Sequence, residues 1–229
     1  RQLVVTTGTM LYPNNNTFET LSFWFGTGRV FSFDWTQLTD WIYLSHSGQM
    51  KGQLGYGITL FAEDEFYKNI LFEDNYGLEI SFEKSFSKSI SFDIKPKFGT
   101  EIIRVDAPYQ ARNTGLGLGI ELKPSDEFKL NFRMDQSKSI RFENDEVVYS
   151  DMIARARFEY QATTFLNFRL VAQYHRYYDT FDIQPLISYQ PGPFSIFYFG
   201  TSRTYDTSFP GWKESYGQIY LKVQKLFSF

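Results

Sequence analysis

Apolar and polar residues alternate one by one along most of the chain. Tyr76, Leu78, Ile80 and Phe82 alternate with Gly77, Glu79, Ser81 and Glu83, and Phe128, Leu130, Phe132 and Met134 with Lys129, Asn131, Arg133 and Asp135. Leu166, Phe168, Leu170, Ala172 and Tyr174 are likewise offset from Asn167, Arg169 and Gln173. Successive strand side chains point to opposite faces, so each segment has one apolar and one polar face. A helix would scatter the same residues around its circumference. The pattern predicts an all-β chain.

Strands are expected at 214–229, 194–204, 181–190, 166–176, 150–160, 128–137, 114–123, 89–99 and 75–84. The front is less regular and predicts strands at 1–11, 17–26, 29–37, 40–47 and 51–62, with a tight Gly26-Thr27-Gly28 turn. That gives about 14 strands, within a range of 12 to 16. Short turns are expected near Phe86–Lys88, Pro124–Glu127, Gln161–Thr164 and Pro191–Gly192. Longer polar loops are expected over Gly99–Asn113, Gln136–Tyr149, Tyr177–Thr180 and Tyr205–Lys213. Short turns at one end and longer loops at the other are a mark of up-and-down transmembrane barrels. The expected architecture is therefore an up-and-down antiparallel β-barrel in a membrane, one domain over residues 1–229.

A soluble, lipocalin-like barrel would show the same alternation with its apolar face turned inward. Three features favour the membrane. The polar faces are heavily charged, segments run to about ten residues, the length that crosses a bilayer when tilted, and Tyr and Phe cluster at strand ends (Tyr174, Tyr177, Tyr178; Phe197, Tyr198, Phe199) as in interfacial girdles. The uncharged run from Ile183 to Ser202 contains Pro185, Pro191, Gly192 and Pro193, and reads as two strands about a turn rather than a spanning helix. Arg1-Gln2-Leu3 lacks the layout of a secretory leader, which is expected if a leader has been removed or the chain is the C-terminal part of something longer.

Composition narrows the chemistry. The 229 residues carry 23 Lys+Arg against 26 Asp+Glu, a net charge of −3, with no cysteine and 20% aromatic residues. Disulfides, thiolate catalysis and Cys-ligated metals are excluded. Without a basic block, no nucleic-acid partner is expected. Gly115-Leu116-Gly117-Leu118-Gly119 lacks the spacing and following helix of a phosphate loop. The acidic groups Glu63-Asp64-Glu65 and Glu73-Asp74 read as charge on a long loop, without the spacing of a calcium loop. No metal and no cofactor are expected, nor any catalytic residue. The one enzymatic alternative is an outer-membrane hydrolase at the rim, with His175 paired to Asp179 or Asp182.

The candidate functional surface is the interior of the barrel. Lys129, Arg133, Arg155, Arg157 and Arg169 are expected there, facing Glu121, Glu159 and Asp135. Paired, these charges would stiffen the interior; unpaired, they would favour anions in a pore.

Two resemblances add to this. Ile219, Leu221, Val223, Phe227 and Phe229 alternate up to a terminal aromatic, with Lys225 interrupting. This resembles the C-terminal signal read by the barrel-assembly machinery. From Arg155 to Tyr205, Phe168-Arg169-Leu170, Gln173-Tyr174, Gln184-Pro185-Leu186, Ser188-Tyr189, Pro193-Phe194, Phe197-Tyr198 and Gly200 resemble the end of a Gram-negative outer-membrane family. That family joins a family-nine-like carbohydrate-binding module to an uncharacterised C-terminal barrel. Leu11-Tyr12-Pro13 with Phe23 to Phe33 is similar to an earlier hairpin of that domain. The resemblance implies architecture and location, a barrel in the bacterial outer membrane, and supplies no activity. Taken together, the sequence is read as a non-enzymatic anchor or scaffold for an associated module, with passive passage of small solutes. The implied partners are outer-membrane lipid, the assembly machinery during insertion, and other outer-membrane or periplasmic proteins. The sugar-binding part of that family has no counterpart here.

Overall fold

The computed structural model describes residues 1–225. Thirteen strands follow one another: β1 (Gln2–Leu11), β2 (Phe18–Phe31), β3 (Gln37–Met50), β4 (Leu54–Tyr67), β5 (Ile70–Ser87), β6 (Ile90–Ile103) and β7 (Tyr109–Leu122). Next come β8 (Phe128–Arg141), β9 (Val147–Gln161), β10 (Leu166–His175), β11 (Thr180–Gly192), β12 (Ser195–Asp206) and β13 (Lys213–Lys225). They form one sheet in sequence order, each strand paired with the next, and β1 and β13 are its edges among the described residues. The fold is all-β, up-and-down and antiparallel, with a strand count inside the expected range.

Two compact units share this sheet. The first comprises Arg1–Ser85, Asp93–Gly117 and Ser137–Ser150; the second comprises Phe86–Phe92, Leu118–Gln136 and the described residues from Asp151 onward.

Two expectations are corrected. Gly26-Thr27-Gly28 is not a turn but the middle of β2, which accounts for thirteen strands where fourteen were expected. The glycines are there for the neighbouring strand. Gly26 stands opposite Tyr43 and Gly28 opposite Trp41, and a Cβ on either glycine would overlap the facing ring. The aromatic lies flat across bare backbone, an arrangement that packs the ring and covers the peptide at once. The device recurs at Gly8 with Trp24, Gly77 with Phe61 and Gly200 with Tyr220 on the same face, and at Gly48 with Tyr56 on the other.

The long loops are also corrected. Connections at both ends hold only two to six residues, because β6 to β9 continue through most of Gly99–Asn113 and Gln136–Tyr149. Apolar alternation fades there, and polar cross-strand contacts replace it. Asn113 Nδ2 donates to Ser137 Oγ (3.2 Å) and Ser139 Oγ (3.1 Å), while Gln110 Nε2 donates to Asn75 Oδ1 (3.1 Å). The acidic residues Glu63, Asp64 and Glu65 lie within β4, and Glu73 and Asp74 within β5, at a register shift where the Asp74 N–H donates to Asp64 Oδ1 (3.0 Å).

Alternation and the cross-strand registers divide the side chains between two faces, and burial is the reverse of a soluble domain. The eight buried residues other than glycine, apolar Phe72, Ala111, Val171 and Leu186 and polar Ser22, Asn75, Ser139 and Asp151, lie on the charged face. The apolar face is the exposed one. In the first unit Leu3 is 66% exposed and Leu44 54%, and in the second Leu221 is 72% and Phe199 53%. In water each such side chain forgoes roughly 1.5–3 kcal/mol that burial would supply.

The glycine–aromatic pairs yield a stability test. Gly26→Ala and Gly77→Ala should each lose about 1–3 kcal/mol through overpacking against a ring, read as the midpoint of urea unfolding in detergent micelles. Gly192→Ala, where a Cβ would meet no atom within 4 Å, should stay within about 0.5 kcal/mol of the parent.

Candidate functional site: the charged face of the second unit

All seven charged candidates fall on one face, because they occupy alternate positions of neighbouring strands. Glu121 on β7 receives Lys129 of β8 (Nζ to Oε2, 2.8 Å). The Gln161 N–H donates to the Glu127 carbonyl (2.7 Å), and continuing that pairing by two residues sets Lys129 opposite Glu159 of β9. Glu159 in turn stands directly opposite Arg169 of β10. One row across four strands therefore alternates in sign: Glu121, Lys129, Glu159, Arg169. Opposite charges facing each other across strands each add a few tenths to one kcal/mol, and like charges there would cost as much.

Arg157 ion-pairs with Glu159 on its own strand, so one carboxylate faces two guanidinium groups. Arg169 Nε is buried with no hydrogen-bond partner. Arg155 stands opposite Gln173, which stands opposite Asp182, and Thr204 Oγ1 donates to that carboxylate. Arg133 and Asp135 of β8 share this face, so its five cations stand among the carboxylates of Glu121, Asp135, Glu159 and Asp182. The ion pairs are a third or more exposed on at least one side, so each contributes at most about 1 kcal/mol to stability. Their larger effect is on the field a solute would meet.

The acid–histidine pair exists, with a different acid. His175 Nε2 meets Asp151 Oδ2 at 2.7 Å, not Asp179 or Asp182. Asp151 is 8% exposed, and its Oδ1 also accepts the N–H groups of Met152 (2.7 Å) and Tyr177 (3.1 Å). The carboxylate fastens the turn after β10 to β9. Asp179 adopts a left-handed conformation (φ 48°) in that turn, and its carbonyl accepts the Thr207 N–H (2.7 Å) and hydroxyl. The 24 residues between Asp151 and His175 hid the partnership; the register of β9 with β10, which sets Ile153 opposite His175, is the signal that finds it. The other histidine, His46, stacks on Phe23 (4.3 Å) and bonds the Tyr56 hydroxyl (2.8 Å) and the Ser22 carbonyl (3.0 Å). Among the described residues no group of three or more acidic or histidine side chains is placed to share a metal ion.

Ile219, Leu221 and Val223 all lie on the exposed apolar face of β13, opposite Thr201, Phe199 and Phe197. Phe227 and Phe229 lie outside the described residues.

No family model and no curated protein matches the chain. Among solved structures it is similar to a CymD monoaromatic hydrocarbon channel, with a TM-score of 0.38 and 12% identity, over 99% of this chain and 87% of that one.

Asp151→Leu should remove the acceptor of two backbone N–H groups and of His175, and cost about 1–3 kcal/mol in urea unfolding. Asp179→Asn should cost under about 0.5 kcal/mol. Equal losses would mean that Asp151 does not fasten this turn.

Proposed function

We propose that this chain is an integral β-barrel of the bacterial outer membrane. It anchors or scaffolds an associated module and passes small solutes through a charged interior. The inverted burial carries the reading: apolar side chains cover the exposed face, while the buried positions sit on the charged one. In water that arrangement is unfavourable many times over; in lipid it is the low-energy one. Strands of 10 to 18 residues support it, since a 14-residue strand tilted by about 45° rises roughly 30 Å, the thickness of the hydrocarbon layer. The soluble ligand-binding barrel has no support from this distribution.

The partners that follow are outer-membrane lipid, the assembly machinery that would read Ile219, Leu221 and Val223, and an attached or associated outer-membrane or periplasmic protein. The hydrolase alternative loses its expected acid partners Asp179 and Asp182, since Asp151 holds His175.

The test has two parts. The protein should remain with membranes through an alkaline carbonate wash, and release into the wash would overturn the membrane reading. Refolded into a planar bilayer, it should give stable current steps, and the double variant Arg155→Glu, Arg169→Glu should shift the reversal potential toward cations. A folded but silent barrel would remove solute passage and leave the anchor.

A further inference from the structure

The first unit carries a different surface on its charged face. Cross-strand registers define three adjacent rows there. Gly8, Trp24, Ser45, Thr59 and Glu79 form one; Thr6, Gly26, Tyr43, Phe61 and Gly77 the next; Val4, Gly28, Trp41, Glu63 and Asn75 the third. Each of the four aromatics lies over a glycine: Trp24 on Gly8, Tyr43 on Gly26, Trp41 on Gly28 and Phe61 on Gly77. Atoms of each ring occupy the space that its glycine's Cβ would need, so the four side chains are held close against the backbone. The Trp41 and Tyr43 rings are nearly parallel, 11° apart with centroids 5.9 Å from each other, and Trp24 is 47% exposed. Lys97 Nζ stands 6.0 Å from the Phe61 ring and ion-pairs with Glu79 (2.6 Å), which bounds the patch at β5 and β6.

Resting on the channel reading above, we infer that this patch is a solute-binding track for carbohydrate. The flat rings accept the apolar C–H face of a sugar ring, and the polar groups beside them address its hydroxyls. Glu63 stands directly opposite Trp41. The Ser45 and Thr59 hydroxyls, 2.9 Å apart, lie in the row next to Tyr43 and Phe61. A ligand made only of hydrocarbon would desolvate the Glu63 carboxylate without offering it a donor, which costs affinity. A sugar satisfies both parts: stacking for its ring face, acceptors for its rim. Three strands supply the four rings, so the track is long enough for more than one sugar unit.

The probe is a linear glucose oligosaccharide added to the bilayer-reconstituted protein, with a polyethylene glycol of equal size as control. The sugar should interrupt the current in a concentration-dependent way, and the glycol should not. Tyr43→Ala should raise the half-blocking concentration roughly tenfold, Tyr43→Phe should stay near the parent, and Glu63→Gln, which keeps volume and shape, should raise it severalfold. Conductance untouched by sugar, or interruption unchanged in both Tyr43→Ala and Glu63→Gln, would overturn the track. Block by benzene but not by sugar would overturn the carbohydrate assignment. If the folded protein gives no current, the same sugar is titrated against tryptophan emission in micelles. A saturable change lost in Trp41→Phe would then support the track while the channel reading fails, and no change would remove both.

Discussion

A backbone N–H or C=O shut away from water must find a partner, and a strand finds it in its neighbour. Between the strands of this chain the pairing takes the simplest connectivity available, every strand bonded to its sequence neighbour. Once the backbone is committed in that way, side chains divide strictly between two faces, and everything else in the molecule is a consequence of which residues fall on which. The apolar face is braced by ring contacts between strands, such as Phe23 on His46 (4.3 Å) and Phe128 beside Phe158 (6.5 Å). The charged face is braced by ion pairs, amide–hydroxyl contacts and rings laid over glycine.

That bracing differs between the two units. In the second, arginine, lysine and carboxylates share the face, and the row from Glu121 to Arg169 alternates in sign across four strands. In the first, aromatic rings and hydroxyls share the face with Glu63 and Glu79. A single fold thus presents a charged surface in one unit and an aromatic surface in the other, without a change in backbone geometry. The scaffold is uniform and the chemistry is written on alternate residues.

The fold was legible because a period of two needs only local sequence. The class, most strand positions, and the shared face of all seven charged candidates followed from it. What escaped was whatever depends on the neighbouring strand. Gly26 and Gly28 look like turn residues until Tyr43 and Trp41 are seen opposite them. The polar segments around Gly99–Asn113 and Gln136–Tyr149 look like loops, because Asn113, Ser137 and Ser139 make strand by bonding one another rather than by alternating with apolar residues. Asp151 could not be matched to His175 without knowing how β9 and β10 align, and Asp179 and Asp182 were merely nearer in the chain.

Alternation alone leaves one error unpunished. A hairpin that slips by two residues keeps every apolar side chain on its proper face, so the division between faces does not oppose it. The paired glycines of β2 close that loophole. Slipped one way, Trp41 would meet Val30 instead of Gly28; slipped the other way, Tyr43 would meet Trp24 instead of Gly26. Two rings and two hydrogen-only residues, spaced two apart, act as a key with two teeth that turns at one alignment and jams at its neighbours. For a strand pair whose period-two pattern alone would tolerate sliding, such a key ties the alignment to two contacts rather than to the pattern.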